Sequence, residues 1–152
     1  MAQNTVPIFS LTPKISSAQI TSSTTGLTKS DGTGAGVGTD MILAYTAGSN
    51  GSFLRFSRVI PTASTASTTM TNTILRFYVS SITSGATASS NTFNIQEVLL
   101  SNQVADHATV PIVYQDVQFN FALPANYTLL VSAHVASASN STWQIVTFGG
   151  DY

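Results

Sequence analysis

The stretch QDVQFNFALPANYTLLVSAHVA, residues 115–136, decides the fold. Apolar side chains occupy every second position in its first half: Val117, Phe119, Phe121 and Leu123. A period of two belongs to a strand that turns one face to a core. Pro124-Ala125-Asn126 then interrupts the pattern, and a second apolar run opens at Tyr127. Proline presets φ and asparagine tolerates left-handed backbone, so such a triplet reverses the chain. The spacing predicts two strands joined by a tight turn.

The same grammar extends in both directions. Gly48-Ser49-Asn50-Gly51 carries the Asn-Gly signal of a hairpin. After it, SFLRFSRVIPTA (52–63) puts Leu54, Phe56 and Ile60 on one parity, opposite Phe53, Arg55, Ser57 and Val59. Arg58 interrupts the apolar row, which predicts a rim position or a partner. In residues 39–48, Met41, Leu43 and Tyr45 share one face and Ile42 and Ala44 the other, so both faces are expected to be covered. Leu75, Phe77 and Val79 alternate with Ile74, Arg76 and Tyr78, and farther on Phe93, Ile95 and Leu99 alternate around Glu97. Glu97 inside that apolar run predicts a bulge, a sheet edge or a salt bridge to an arginine. A short strand over 15–23 and a last strand over 141–152 complete the set. Loops are expected over 24–38, where Gly32, Gly34, Gly36 and Gly38 alternate, and over 62–73, 84–91 and 102–110.

No helical period competes. Eight or nine short strands with turn punctuation predict an all-β, antiparallel two-sheet β-sandwich, jelly-roll-like, with an immunoglobulin-like sandwich as the alternative. Residues 1–13, with Ile8, Phe9 and Leu11 between Pro7 and Pro13, read as an N-terminal arm or edge strand; residues 14–152 read as a single β-sandwich domain.

Charge is the unusual quantity in the composition. Charged residues are 7% of the 152, against about 25% in an ordinary domain. The basic residues, Lys14, Lys29, Arg55, Arg58 and Arg76, are scattered and the net charge is −1, so no nucleic-acid partner is expected. No apolar run is long enough to cross a bilayer, and the N-terminal residues lack the basic start and apolar stretch of a signal peptide, so no membrane partner is expected. Hydrophobic residues make up 43%, enough for a core, while serine and threonine fill the polar positions. A surface with so little charge has little self-repulsion and suits a chain bound to its own copies or to a partner.

Residues for chemistry are sparse. There is no cysteine, so no thiolate nucleophile or thiolate metal site exists. His107 and His134 fall in different elements, which argues against a shared metal. The acids Asp31, Asp40, Glu97, Asp106, Asp116 and Asp151 show no spacing that pairs two carboxylates across a sugar bond. Gly-Thr-Gly-Ala-Gly-Val-Gly at 32–38 lacks the Lys-Ser/Thr ending of a phosphate loop, and the region around Asp31 lacks the alternating acids of a calcium loop. No catalytic, cofactor-binding or metal-ligating residue is therefore assigned. Tyr78, Tyr114, Tyr127, Trp143 and Tyr152 are candidates for a sugar-stacking platform or an interface hot spot, and the terminal Phe148–Tyr152 for a docking tip.

Several stretches together carry a resemblance. TPKISSAQIT, KSDGTG, ILAYTAGSNGSFLRFSRV and FALPANYTLLVS follow one another in this order. The chain resembles small structural proteins of tailed bacteriophages, of the capsid decoration or auxiliary type. That resemblance implies a non-enzymatic virion component, made in the host cytoplasm, that contacts the major capsid protein or other virion proteins. It implies a homo-oligomer, with a trimer favoured, and a cementing role on the head. A head-fibre, tail or baseplate module with lectin-like binding of a glycan or receptor is the alternative. For the lectin-like alternative the residues to bring together are Trp143 or Tyr114 beside Asp106 or Asp116. A cell-wall hydrolase is the third reading.

Overall fold

A computed structural model describes residues 12–22, 30–65, 68–105 and 113–152. These contain twelve strands: β1 (Thr12–Ile20), β2 (Gly34–Val37), β3 (Ile42–Thr46), β4 (Ser52–Ala63), β5 (Thr68–Thr69), β6 (Thr73–Ser80), β7 (Gly85–Thr87), β8 (Thr92–Leu100), β9 (Val104–Ala105), β10 (Gln115–Leu123), β11 (Thr128–Ala133) and β12 (Ser141–Asp151). Eight long strands form two four-stranded sheets of order β1-β12-β4-β10 and β3-β11-β6-β8, and every pairing within them is antiparallel. Short ribbons, β2-β7 and β5-β9, account for the other four. The domain is all-β and has the build of a β-sandwich.

One core joins the two sheets. Ala18, Ile20, Leu54, Val59, Val117, Leu123, Trp143 and Ile145 from the first sheet meet Leu75, Phe77, Val98, Leu100, Leu129, Val131 and Ala133 from the second. The ring of Phe77 on β6 lies edge-on to that of Phe119 on β10, with centroids 5.2 Å apart. The parities predicted for Val117 to Leu123 and for Leu75, Phe77 and Val79 are those observed.

The predicted turns exist, yet neither closes a hairpin. At the first, the Gly51 amide donates to the Gly48 carbonyl at 3.0 Å and Gly51 sits at φ +92°. Its flanking strands β3 and β4 nevertheless lie in different sheets. Pro124-Ala125-Asn126 behaves likewise: Asn126 takes φ +63°, and β10 and β11 belong to opposite sheets. A turn signal encodes local reversal; which neighbour accepts the strand's hydrogen bonds is decided by the rest of the chain.

Three expected faces are corrected by bulges or edges. On β4, Ser57, Val59 and Pro61 point inward with Leu54, while Phe56 and Ile60 are half-buried on the outside. Arg55 is the extra residue between the Phe148↔Phe56 and Gly149↔Leu54 pairs, and this bulge flips the parity. On β3, Ala44 is extra between the Leu129↔Tyr45 and Leu130↔Leu43 pairs, which carries Tyr45 into the main core. On β8, Thr92, Val98 and Leu100 are buried, whereas Phe93, Ile95 and Leu99 are 51%, 40% and 67% exposed. The prediction for Glu97 holds on each of its counts. β8 is a sheet edge, its register shifts beside Ile95, and Glu97 Oε1 accepts from Arg76 Nε at 2.7 Å.

The expected loops also hold structure. β2 runs through the glycine stretch because its partner β7 approaches so closely. A Cβ on Gly36, at φ +119°, would lie 2.0 Å from the Gly85 carbonyl oxygen. β4 continues to Ala63, β5 follows it, and Met70 is fully buried. Met41, Tyr78 and Leu130 form a second small cluster against Val37 of β2 and Leu43, on the outer side of the β3-β11-β6-β8 sheet. Buried Thr128 and Ser132 lie on that side too. That sheet is thus largely buried on both faces over β11 and β6, while Glu97 and Leu99 on the edge strand β8 stay exposed.

Candidate interface

The outer face of the β1-β12-β4-β10 sheet has a different character. Register places Ile15, Phe148, Phe56 and Gln118 in one row across its four strands, and Ser17, Val146, Arg58 and Asp116 in the next. Pro13 and Phe53 belong to the row before. Phe56 and Phe148 stack with centroids 4.5 Å apart and planes at 18°. Ile15 is 67% exposed beside them. An aromatic and aliphatic row on the solvent side of an antiparallel sheet departs from the usual polar-out alternation.

Arginines cover these rings rather than standing off in water. Arg55 and Arg58 lie 5.9 and 5.8 Å from the Phe56 centroid. Arg58 also lies 3.9 Å from the centroid of Tyr114. Its Nε and Nη2 donate to the two carboxylate oxygens of Asp116 at 2.8 and 2.9 Å. This two-pronged bond, then the attraction of the guanidinium charge, holds the Asp116 carboxyl below its ordinary range. A planar guanidinium is weakly hydrated and stacks well on rings, so Tyr114, Arg58 and Phe56 form a neutral, flat, mostly apolar surface.

At the strand ends nearest Pro13, a polar knot joins β1, β3, β4 and β12. Lys14 Nζ donates to the Thr46 carbonyl at 2.6 Å and to Asp151 Oδ2 at 3.1 Å. Asp151 Oδ1 accepts from Ser52 Oγ and from Tyr45 Oη. Burial of Tyr45 pushes its hydroxyl up to about 12. For Asp151, burial favours the protonated form, but the bonds from Ser52 and Lys14 outweigh it and hold the carboxyl below its ordinary range. The knot consists of donors matched to one carboxylate, with Tyr45 held protonated, which suits a clamp.

The predicted site residues separate. Trp143 is 1% exposed within the core, so it is unavailable for stacking a sugar. Tyr78 is buried too, in the second cluster. Tyr114, 54% exposed, and Asp116 do come together, with Arg58 between them. His134 is exposed just beyond β11. Phe148 through Asp151 lie within β12, so that stretch is a central strand end instead of a free docking tip. Asp106, His107 and Lys29 lie outside the described residues, as do residues 1–11. Among the described residues, no three His, Cys, Asp or Glu side chains gather as a metal site, and no helix is long and apolar enough to cross a membrane. Sequence reasoning missed the Phe56–Phe148 stack because it put Phe56 on one parity with Leu54, which the bulge at Arg55 separates. The Gly149-Gly150 pair after Phe148 was the available hint, since glycine inside a strand marks a bulge or a close approach.

Comparisons with family models, with curated proteins and with solved structures find no match to this chain.

Proposed function

We propose that the chain is a non-enzymatic structural protein of a large assembly, and that the outer face of the β1-β12-β4-β10 sheet contacts its neighbours. The observation that carries this reading is the aromatic row on that face, together with the pairing of its central charge. Arg58 is matched there by Asp116, while Arg55 lies exposed over the Phe56 ring. A face with little net charge and stacked rings loses little hydration when covered, and each apolar Å² buried contributes about 25 cal/mol before binding costs. Tyrosine and arginine are the residue types that dominate interface energetics.

We read the sandwich as a jelly roll. Numbering only the eight long strands in chain order, the two sheets run 1-8-3-6 and 2-7-4-5, which is the order left by a long antiparallel hairpin rolled over twice. With the stretches quoted above, this supports a capsid decoration protein of a tailed bacteriophage. It would sit, favoured as a trimer, on the major capsid protein and cement the head. The alternative, a fibre, tail or baseplate module that binds a glycan, draws on Tyr114 beside Asp116, but Arg58 already engages both carboxylate oxygens and one ring face.

The test is mass spectrometry and electron microscopy of purified phage particles that encode the chain. Regular density for a β-domain on the head surface, in repeating copies, is the expected result. Particles of normal composition that lack the chain would overturn the assignment.

A further inference from the structure

Resting on the reading above, we propose that the aromatic row of one copy seats in an apolar mouth between the edge strands β8 and β10 of the next. The mouth has a volume of about 230 Å³ and is lined by Val79, Ile95, Gln96, Gln118, Phe119 and Phe121. It is an open side of the sandwich, where edge strands of the two sheets face each other. On β8, Phe93 and Ile95 are 51% and 40% exposed, and on β10 Phe119 and Phe121 are half-buried against the core. Apolar side chains at both lips of such a seam stay wetted until a partner covers them.

Both lips are bulged, and this decides what kind of partner fits. Ile95 is the extra residue between the Phe77↔Gln96 and Tyr78↔Asn94 pairs. Phe119 and Asn120 are extra between Gln118↔Phe56 and Phe121↔Leu54, with Asn120 at φ +53°. A bulge breaks the regular ladder that an added strand needs. The mouth therefore accepts side chains rather than a strand, and matching projections stand on this same chain: Ile15, 67% exposed, beside the stacked Phe56 and Phe148. The two patches are contiguous, since Gln118 both ends the row Ile15–Phe148–Phe56–Gln118 and lines the mouth. Charge selects the pairing. Arg55 is exposed beside the row, and Glu97, the exposed member of its pair with Arg76, lies beside the mouth. Row against mouth brings opposite charges together, whereas row on row, or mouth on mouth, brings like charges together at a cost in affinity. Contact between two different patches is heterologous and repeats from copy to copy until it closes. The trimer proposed above is the ring of three that such a contact makes.

The chain has no native cysteine to compete in a crosslinking test. Full-length Arg55→Cys and Ile95→Cys, both at exposed positions, are purified separately and treated with a short thiol-to-thiol crosslinker, each alone and in equal mixture. A covalent dimer is expected in the mixture and little in either variant alone. In parallel, Phe93→Ser in the otherwise native full-length chain should weaken association at least tenfold in sedimentation equilibrium, as loss of an interface anchor does, with its melting temperature unchanged. Equal crosslinking of Arg55→Cys alone or of Ile95→Cys alone would show a contact of like patches and overturn the proposal. So would the absence of a crosslink in all three samples, or association of Phe93→Ser as tight as that of the parent. None of these failures touches the virion assignment, which rests on finding the chain in purified particles.

Discussion

Trp143 is the residue whose role changes most between sequence and structure. At the opening of the last strand, an indole can serve as a binding platform or as core. It is core here, 1% exposed, paired across the sheet with Pro61 and Ile20, and among the described residues its Nε1–H has no acceptor. Trp143→Ala removes the largest fully buried side chain and leaves a cavity, so a loss of about 3–5 kcal/mol is expected in urea unfolding. Trp143→Phe should cost clearly less, because it keeps a ring and forfeits no hydrogen bond to protein. Equal costs for the two would place the indole nitrogen in a bond that the described residues do not contain. Tyr114 is the opposite case, with its ring exposed and one face on Arg58.

Among the elements, the strand ends are tied by carboxylates whose ionised form is favoured by folding. Arg76 lowers Glu97, Arg58 lowers Asp116, and the bonds from Ser52 and Lys14 prevail over burial to lower Asp151. A carboxyl with a folded pKa below its unfolded value contributes stability above the unfolded pKa. That contribution is lost as pH falls through the folded value. The melting temperature should therefore be flat near neutrality and drop as pH is lowered from about 5 toward 2. Asp151→Asn should melt lower at pH 7 and show a shallower acid decline, measured by thermal scans across that range. An unchanged acid slope in Asp151→Asn would mean that the β1–β3–β4–β12 knot contributes nothing through its charge.

For the whole molecule, the telling feature is the contrast between its two outer faces. On the β3-β11-β6-β8 sheet Met41, Tyr78 and Leu130 are buried on the outer side, whereas the opposite sheet displays stacked rings and the Asp116-paired Arg58. Association through that face should depend on a few side chains that contribute little to folding. Tyr114→Ala is expected to change unfolding free energy by less than about 1 kcal/mol, as exposed sites do. It should nevertheless weaken association at least tenfold in sedimentation equilibrium, the size of effect an interface anchor gives. A variant that associates as the parent does would move the contact surface elsewhere.

Local pattern was enough for the all-β class, the strands around Phe77 and Val117, the chain reversals at Asn50-Gly51 and Asn126, and the scarcity of charge. Each depends on side-chain period, turn chemistry or composition, which neighbouring residues determine among themselves. Three other outcomes depended on the assembled sheets. These were the passage of β10 and β11 into opposite sheets, the parity flip at Arg55 that turns Phe56 outward, and the pairing that drew a glycine run into β2. Backbone hydrogen bonds carry no side-chain label, so a strand's partner and register are selected by packing across the whole core. The exposed face of Phe56, Phe148, Arg58 and Tyr114 exists only after that selection has been made.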